Sequence, residues 1–143
     1  MNGHKKTHDC SCACGQVKFE IHGDLGPLTA CHCQYCRKSS GHHFVSTNVP
    51  QASLVFISDA SLKWYQSSKI ADRGFCSNCG SQLFYRPKNF NRMAVLAGCF
   101  DGDLNMDIEE HIFVEFKGDY YKIEDDKPQY ATAGPHSTAA KTI

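Results

Sequence analysis

Cys12-Ala13-Cys14-Gly15 and, far downstream, Cys76-Ser77-Asn78-Cys79-Gly80 decide how this chain folds. Each stretch places two thiols one or two residues apart and closes on a glycine. Paired thiolates at that spacing reach the same tetrahedral ion, and the glycine lets the backbone curl over the sulfurs. The pairs lie 62 residues apart, so a shared ion clamps the first part of the chain to its middle. Closing such a loop costs entropy, which structural metal binding offsets with free energy on the order of 10 kcal/mol. Cys10-Ser11-Cys12 is a competing pair. Gly15 favours Cys12 with Cys14 and leaves Cys10 as a surface thiol.

Between the two pairs stands Cys31-His32-Cys33-Gln34-Tyr35-Cys36, three thiols compact enough to meet at one ion. Four thiolates close a structural zinc site, whereas three leave a second zinc with an open position. The fourth ligand could be water, a substrate thiolate, a histidine or Cys99. His32 sits between two ligands and is expected to point away from the metal. His42 and His43 could fold back, and Cys99 reads equally as a buried free thiol. An open position is the expected arrangement. Zinc lowers the pKa of a bound thiol as it does that of bound water. A small thiol held there as thiolate is poised to attack an electrophile such as an aldehyde.

Composition narrows the setting. The 143 residues suffice for a single domain with a real core. Lys+Arg and Asp+Glu balance at 15 each, so charge gives no support for nucleic acid or an anionic membrane as partner. No apolar run approaches the roughly 18 residues of a membrane span. Residues 1–9 carry lysines but no apolar segment after them, so no secretory signal is expected. Nine cysteines without such a signal point to a reducing, cytoplasmic setting and to metal instead of disulfides.

Most of the chain reads as short strands. Gln16–Ile21 alternates polar and apolar residues. Segments 28–31, 43–49, 54–57, 62–65, 73–76, 82–86, 93–98 and 111–116 follow, separated by Gly-, Ser- and Asp-rich turns. Arg37–Gly41 has turn character, and Asp101 and Asp103 flank Gly102 in an expected hairpin turn. No stretch sustains a long helical period. Residues 1–9 and 131–143 are expected to be a loose N-terminus and tail around a domain at 10–130. Arg37, Lys38, Arg73 and Arg86 flank the cysteine clusters and read as surface charge, or as partners for a ligand's carboxylates. Trp64, Tyr65, Phe84 and Tyr85 read as core. Glu109, Glu110 and His111 could supply an acid or base, with nothing in the sequence to place them near the metal.

Taken together, Cys12–Val17, Cys31–Gly41, Arg73–Ser81, His111–Val114 and Pro128–Tyr130 resemble the glutathione-dependent formaldehyde-activating enzyme family, which also contains centromere protein V. The resemblance implies an all-β, tent-like fold of short sheets with two Zn2+ per chain. It implies a structural zinc on Cys12, Cys14, Cys76 and Cys79 and a second, reactive zinc on Cys31, Cys33 and Cys36, where glutathione displaces a ligand. The implied activity is carbon–sulfur lyase chemistry in the synthetic direction: glutathione adds to formaldehyde to give S-hydroxymethylglutathione. Cys10, Cys99 and Tyr120-Tyr121 depart from the family pattern. A related tent fold serves a Rab-binding chaperone, so a non-catalytic glutathione carrier or protein-interaction module is the alternative.

Overall fold

A computed structural model describes residues 6–136 as two antiparallel-dominated sheets that meet along one apolar core. The small sheet holds β1 (Thr7–Ser11), β2 (Lys18–His22) and β5 (Leu54–Ser58), in the order β1-β2-β5. The large sheet holds seven strands: β3 (Leu28–Cys31), β4 (Phe44–Pro50), β6 (Leu62–Gln66), β7 (Ala71–Cys76), β8 (Gln82–Pro87), β9 (Arg92–Leu96) and β10 (Ile108–Ile112). Its order is β10-β3-β4-β9-β8-β7-β6. The all-β, short-sheet expectation holds, with one parallel pair in it: β10 runs alongside β3 and brings His111 opposite Ala30 and Ile112 opposite Cys31.

Alternation of polar and apolar residues drives the packing. In β2, Phe19 and Ile21 turn inward while Lys18 and His22 face water. Phe19 meets Phe84 of the large sheet at 4.9 Å between ring centres, and Trp64 stacks on Phe84 at 5.6 Å. Val17, Ile21, Val49, Leu83, Met93 and Val95 fill the space around these rings. Gly74 permits the approach: a Cβ there would lie 2.8 Å from Phe84 and 2.9 Å from Trp64.

Four local expectations are corrected. Gln34–Ser40 forms a helix, α1, where Arg37–Ser40 read as a turn. Short helices are invisible to periodicity, and this one is fixed by its ends. The Cys33 sulfur accepts the Cys36 N–H, and Gly41 closes the helix in the left-handed region at φ 81°. Thr7–Asp9 are not loose but pair with Glu20–His22 in β1. The tail from Ala131 begins ordered, since Thr132 and Ala131 carbonyls accept the Phe113 and Glu115 N–H groups. The expected loose ends at 1–5 and 137–143 lie outside the described residues. Asp101–Asp103 is not a hairpin turn, because β9 and β10 are separated by β4 and β3; the Asp101 carboxylate instead accepts the Ser11 hydroxyl at 2.5 Å.

Candidate metal centres and the adjoining cavity

The first thiol group is assembled by two matching turns. Gly15 and Gly80 both adopt φ 80°, a conformation strained for any residue with a Cβ. The Gly15 N–H donates to the Cys12 carbonyl at 3.1 Å and the Gly80 N–H to the Cys76 carbonyl at 2.7 Å. The Cys12, Cys14, Cys76 and Cys79 sulfurs all lie within 4.8 Å of one another. Cys12 and Cys14 are 3.6 Å apart, and Cys14 and Cys76 are 3.8 Å apart. Zn–S bonds of about 2.3 Å in a tetrahedron put sulfurs about 3.8 Å apart, so the set fits a four-thiolate ion. Donors already face the sulfurs: the Val17 N–H on Cys12 and the Asn78 amide on Cys14, both at 3.3 Å. The group joins the residues after β1 to the β7–β8 turn and thereby ties the small sheet to the large one.

The second group is Cys31 at the end of β3, Cys33 at the start of α1 and Cys36 within α1, again with all sulfurs within 4.8 Å. The Cys33 and Cys36 sulfurs lie 2.9 Å apart. Three thiols this close cannot all ionise without a counter-charge. Contact with Cys31 and Cys36 holds Cys33 well below its ordinary value, while the same contact with Cys33 pushes Cys31 up. A divalent cation is the counter-charge that this donor set suits. Among the described residues, no fourth His, Cys, Asp or Glu completes the group.

Of the candidate protein ligands, Cys99 and His32 are engaged elsewhere. Cys99 is buried beside the first group, with its thiol directed at the Gln82 carbonyl. Cys10 is also buried, at 2 % exposure, not the expected surface thiol. Burial, and then the Asp101 and Asp9 charges, push its pKa up to about 12. His32 does turn away from the sulfurs. Its Nε2 lies 2.9 Å from His111 Nδ1 and its Nδ1 lies 2.7 Å from the Tyr121 hydroxyl. His111 Nε2 in turn lies 2.9 Å from an Asp125 oxygen. A carboxylate only accepts, so a neutral His111 donates from Nε2 and accepts at Nδ1. His32 then donates from Nε2, and Tyr121 donates to His32 Nδ1. One directed chain thus runs from the Tyr121 hydroxyl through His32 and His111 to Asp125. His42 and His43 pack on this cluster, 4.4 Å from Tyr121 and 4.8 Å from His32 between ring centres.

A cavity of about 240 Å³ opens beside the second group. Cys31, Cys33 and Cys36 form one side; Tyr35, Phe44, Tyr85 and Phe113 form much of the rest, and Ser46, Asn48 and Ser67 supply polar atoms. Arg73, from β7, reaches it through the sheet. Its guanidinium lies 4.1 Å from the Tyr35 ring centre, 5.0 Å from Tyr85 and 5.2 Å from Phe44, with Nη1 3.7 Å from the Cys36 sulfur. Arg86 instead covers Trp64 at 3.6 Å and pairs with Asp72 at 3.5 Å, in keeping with the surface-charge reading. Tyr85, expected in the core, is a cavity wall. His111 is placed near the second group by the β3–β10 pairing, which crosses 79 residues to His32 and leaves no local trace in the sequence. Asp125 and Tyr121 join through the same contact and carry no sequence signal of their own.

The family profile of the glutathione-dependent formaldehyde-activating enzymes matches residues 7–116, and the chain belongs to that family. An uncharacterized lyase of Schizosaccharomyces pombe is 28 % identical over 115 residues, which cover 80 % of this chain and 83 % of the relative. A protein of Rhodobacter sphaeroides shares the fold in its crystal structure. Its TM-score is 0.57 at 21 % identity, over 68 % of this chain and 91 % of that one. Among the described residues, no helix is long and apolar enough to cross a membrane.

Proposed function

We propose that this protein is a zinc-dependent lyase-type enzyme that joins glutathione, or a related thiol, to formaldehyde or another small aldehyde. Cys12, Cys14, Cys76 and Cys79 hold a structural zinc in this reading, and Cys31, Cys33 and Cys36 hold the reactive one. The observation that carries it is the three-thiol group facing a cavity, with no fourth protein ligand among the described residues. A zinc held by three cysteines supplies a lowered pKa to a thiol that joins it.

In the reaction RSH + CH2O → RSCH2OH, the sulfur lone pair forms the C–S bond, the carbonyl π pair moves to oxygen, and that oxygen takes up the proton. The aromatic walls exclude water and strengthen charge interactions at the sulfur. Arg73 beside Cys36 offsets the negative charge gathered by the thiolates. The His32–His111 pair holds the Cys31–Cys33 peptide in place from behind. The family and the lyase-named relative support the reaction class.

The experiment is a rate measurement. The uncatalysed addition is facile, so exchange between glutathione and its hydroxymethyl adduct is followed by NMR at equilibrium, with and without the zinc-loaded protein. Faster exchange with wild type, absent in Cys33→Ser, is the expected result. Glutathione binding without faster exchange would identify a carrier instead.

A further inference from the structure

We propose that Arg73 is the anion receptor of this cavity, so that the thiol it admits carries a carboxylate; the inference rests on the thiol-handling reading above. Arg73 is buried to 9 % exposure, yet it takes part in none of the ion pairs among the described residues. Its Nε is buried without a hydrogen-bond partner. Among the described residues, no Asp, Glu, Lys or His lines the cavity with it. A guanidinium removed from water without a carboxylate is costly, and proteins rarely leave one so.

The surroundings orient the group without satisfying it. Tyr35, Phe44 and Tyr85 hold its face and edges by cation–π attraction, which fixes the plane but accepts no N–H. The Cys36 sulfur engages Nη1 alone. Arginine offers five N–H donors in a planar fork that matches a carboxylate. Apolar walls raise the strength of such a pair. One divalent ion on three thiolates already carries net charge −1. A fourth, anionic thiol would make that −2, so a cation at this place matters more once substrate is bound. The cavity is small beside ordinary ligand pockets. It therefore suits a short carboxylate-bearing thiol, or the carboxylate arm of a longer one.

The test compares 3-mercaptopropionate with neutral 2-mercaptoethanol, and uses propionate as a thiol-free probe. Binding to the zinc-loaded protein is measured by calorimetry without any aldehyde, in wild type, Arg73→Met and Arg73→Lys, after zinc content and melting have been checked. Wild type is expected to prefer the anionic thiol by roughly tenfold, the size of a charged hydrogen-bonded pair, with a preference that weakens in salt. Propionate should compete with 3-mercaptopropionate. Arg73→Met should abolish the preference and the competition by propionate, with a loss for 3-mercaptopropionate roughly tenfold greater than that for 2-mercaptoethanol, and Arg73→Lys should keep part of the preference. Equal losses for both thiols in Arg73→Met would overturn the proposal, because Arg73 would then serve only the charge of the sulfurs. If Arg73→Met does not fold, the wild-type comparison decides: no anionic preference, or no competition by propionate, overturns it. Selectivity in binding with no acceleration of adduct exchange would sink the proposed reaction and leave the receptor standing.

Discussion

Tyr121 does at the scale of one side chain what no cysteine count reveals. Its hydroxyl serves His32, the residue between two of the candidate ligands, and Lys117 fixes the Tyr121 carbonyl from below at 2.6 Å. Burial pushes the Tyr121 phenol above its ordinary pKa, which keeps it a donor. Tyr121→Phe removes that donor and leaves His32 Nδ1 buried and unserved. The expected cost is about 1–3 kcal/mol, read as a lower Tm, together with altered shifts of the His32 and His111 ring N–H protons in NMR spectra. Unchanged ring signals would show that the phenol does not set the tautomers. Tyr121 and Asp125 both lie beyond residues 7–116, the stretch matched by the family. The contact ties the segment after residue 116 to the residue between two of the candidate ligands.

At the scale of elements, β7 is the most constrained piece of the molecule. It supplies Arg73 to the cavity, Gly74 to the core and Cys76 to the first thiol group. Gly74→Ala forces a methyl group against Trp64 and against Phe84, the ring that meets Phe19 of the small sheet. A loss of about 1–3 kcal/mol is expected, visible as a Tm several degrees lower; an unchanged Tm would mean the rings move aside freely. Such an element was only half legible beforehand. The strands were readable, since Phe19 and Ile21 alternate with charged neighbours and glycines mark the turns. Both thiol groups were readable too, because their spacing is local. Helix α1 was not, since seven residues are too few for a period. The His32–His111 contact and the Arg73 environment depend on strand order, which pairs residues dozens of positions apart and writes nothing into nearby sequence.

At the scale of the whole molecule, the proposed reading gives the two thiol groups different duties and different responses to loss. On that reading Cys76→Ser forfeits metal-coupled folding energy on the order of 10 kcal/mol and should yield insoluble or metal-poor protein. Cys33→Ser should fold with one zinc in place of two, because a serine oxygen can still cap the Cys36 N–H at the start of α1. Metal analysis of the soluble fractions tests both; a folded, fully loaded Cys76→Ser protein would refute the clamp. Acid acts on the same scale. Burial, then the neighbouring His42 and His111, lower the pKa of His43 to about 4 from an ordinary 6.5. Above 6.5 neither folded nor unfolded chain binds this proton, so stability is unaffected. As pH falls from 6.5 toward 4 the unfolded chain takes the proton and the folded one does not, so stability declines. Denaturant midpoints at pH 7 and 5 should differ less in His43→Gln than in wild type, with zinc content followed in both. A last consequence concerns damage. Cys14 and Cys79 reach the surface while Cys12 and Cys76 are buried, so oxidants and stray aldehyde meet the clamp at its outer half. On the proposed reading, a cell that lets its zinc run short would expose those two thiols to the aldehyde that the enzyme handles. The protein would then be consumed as a reactant, and its lifetime would track the metal supply.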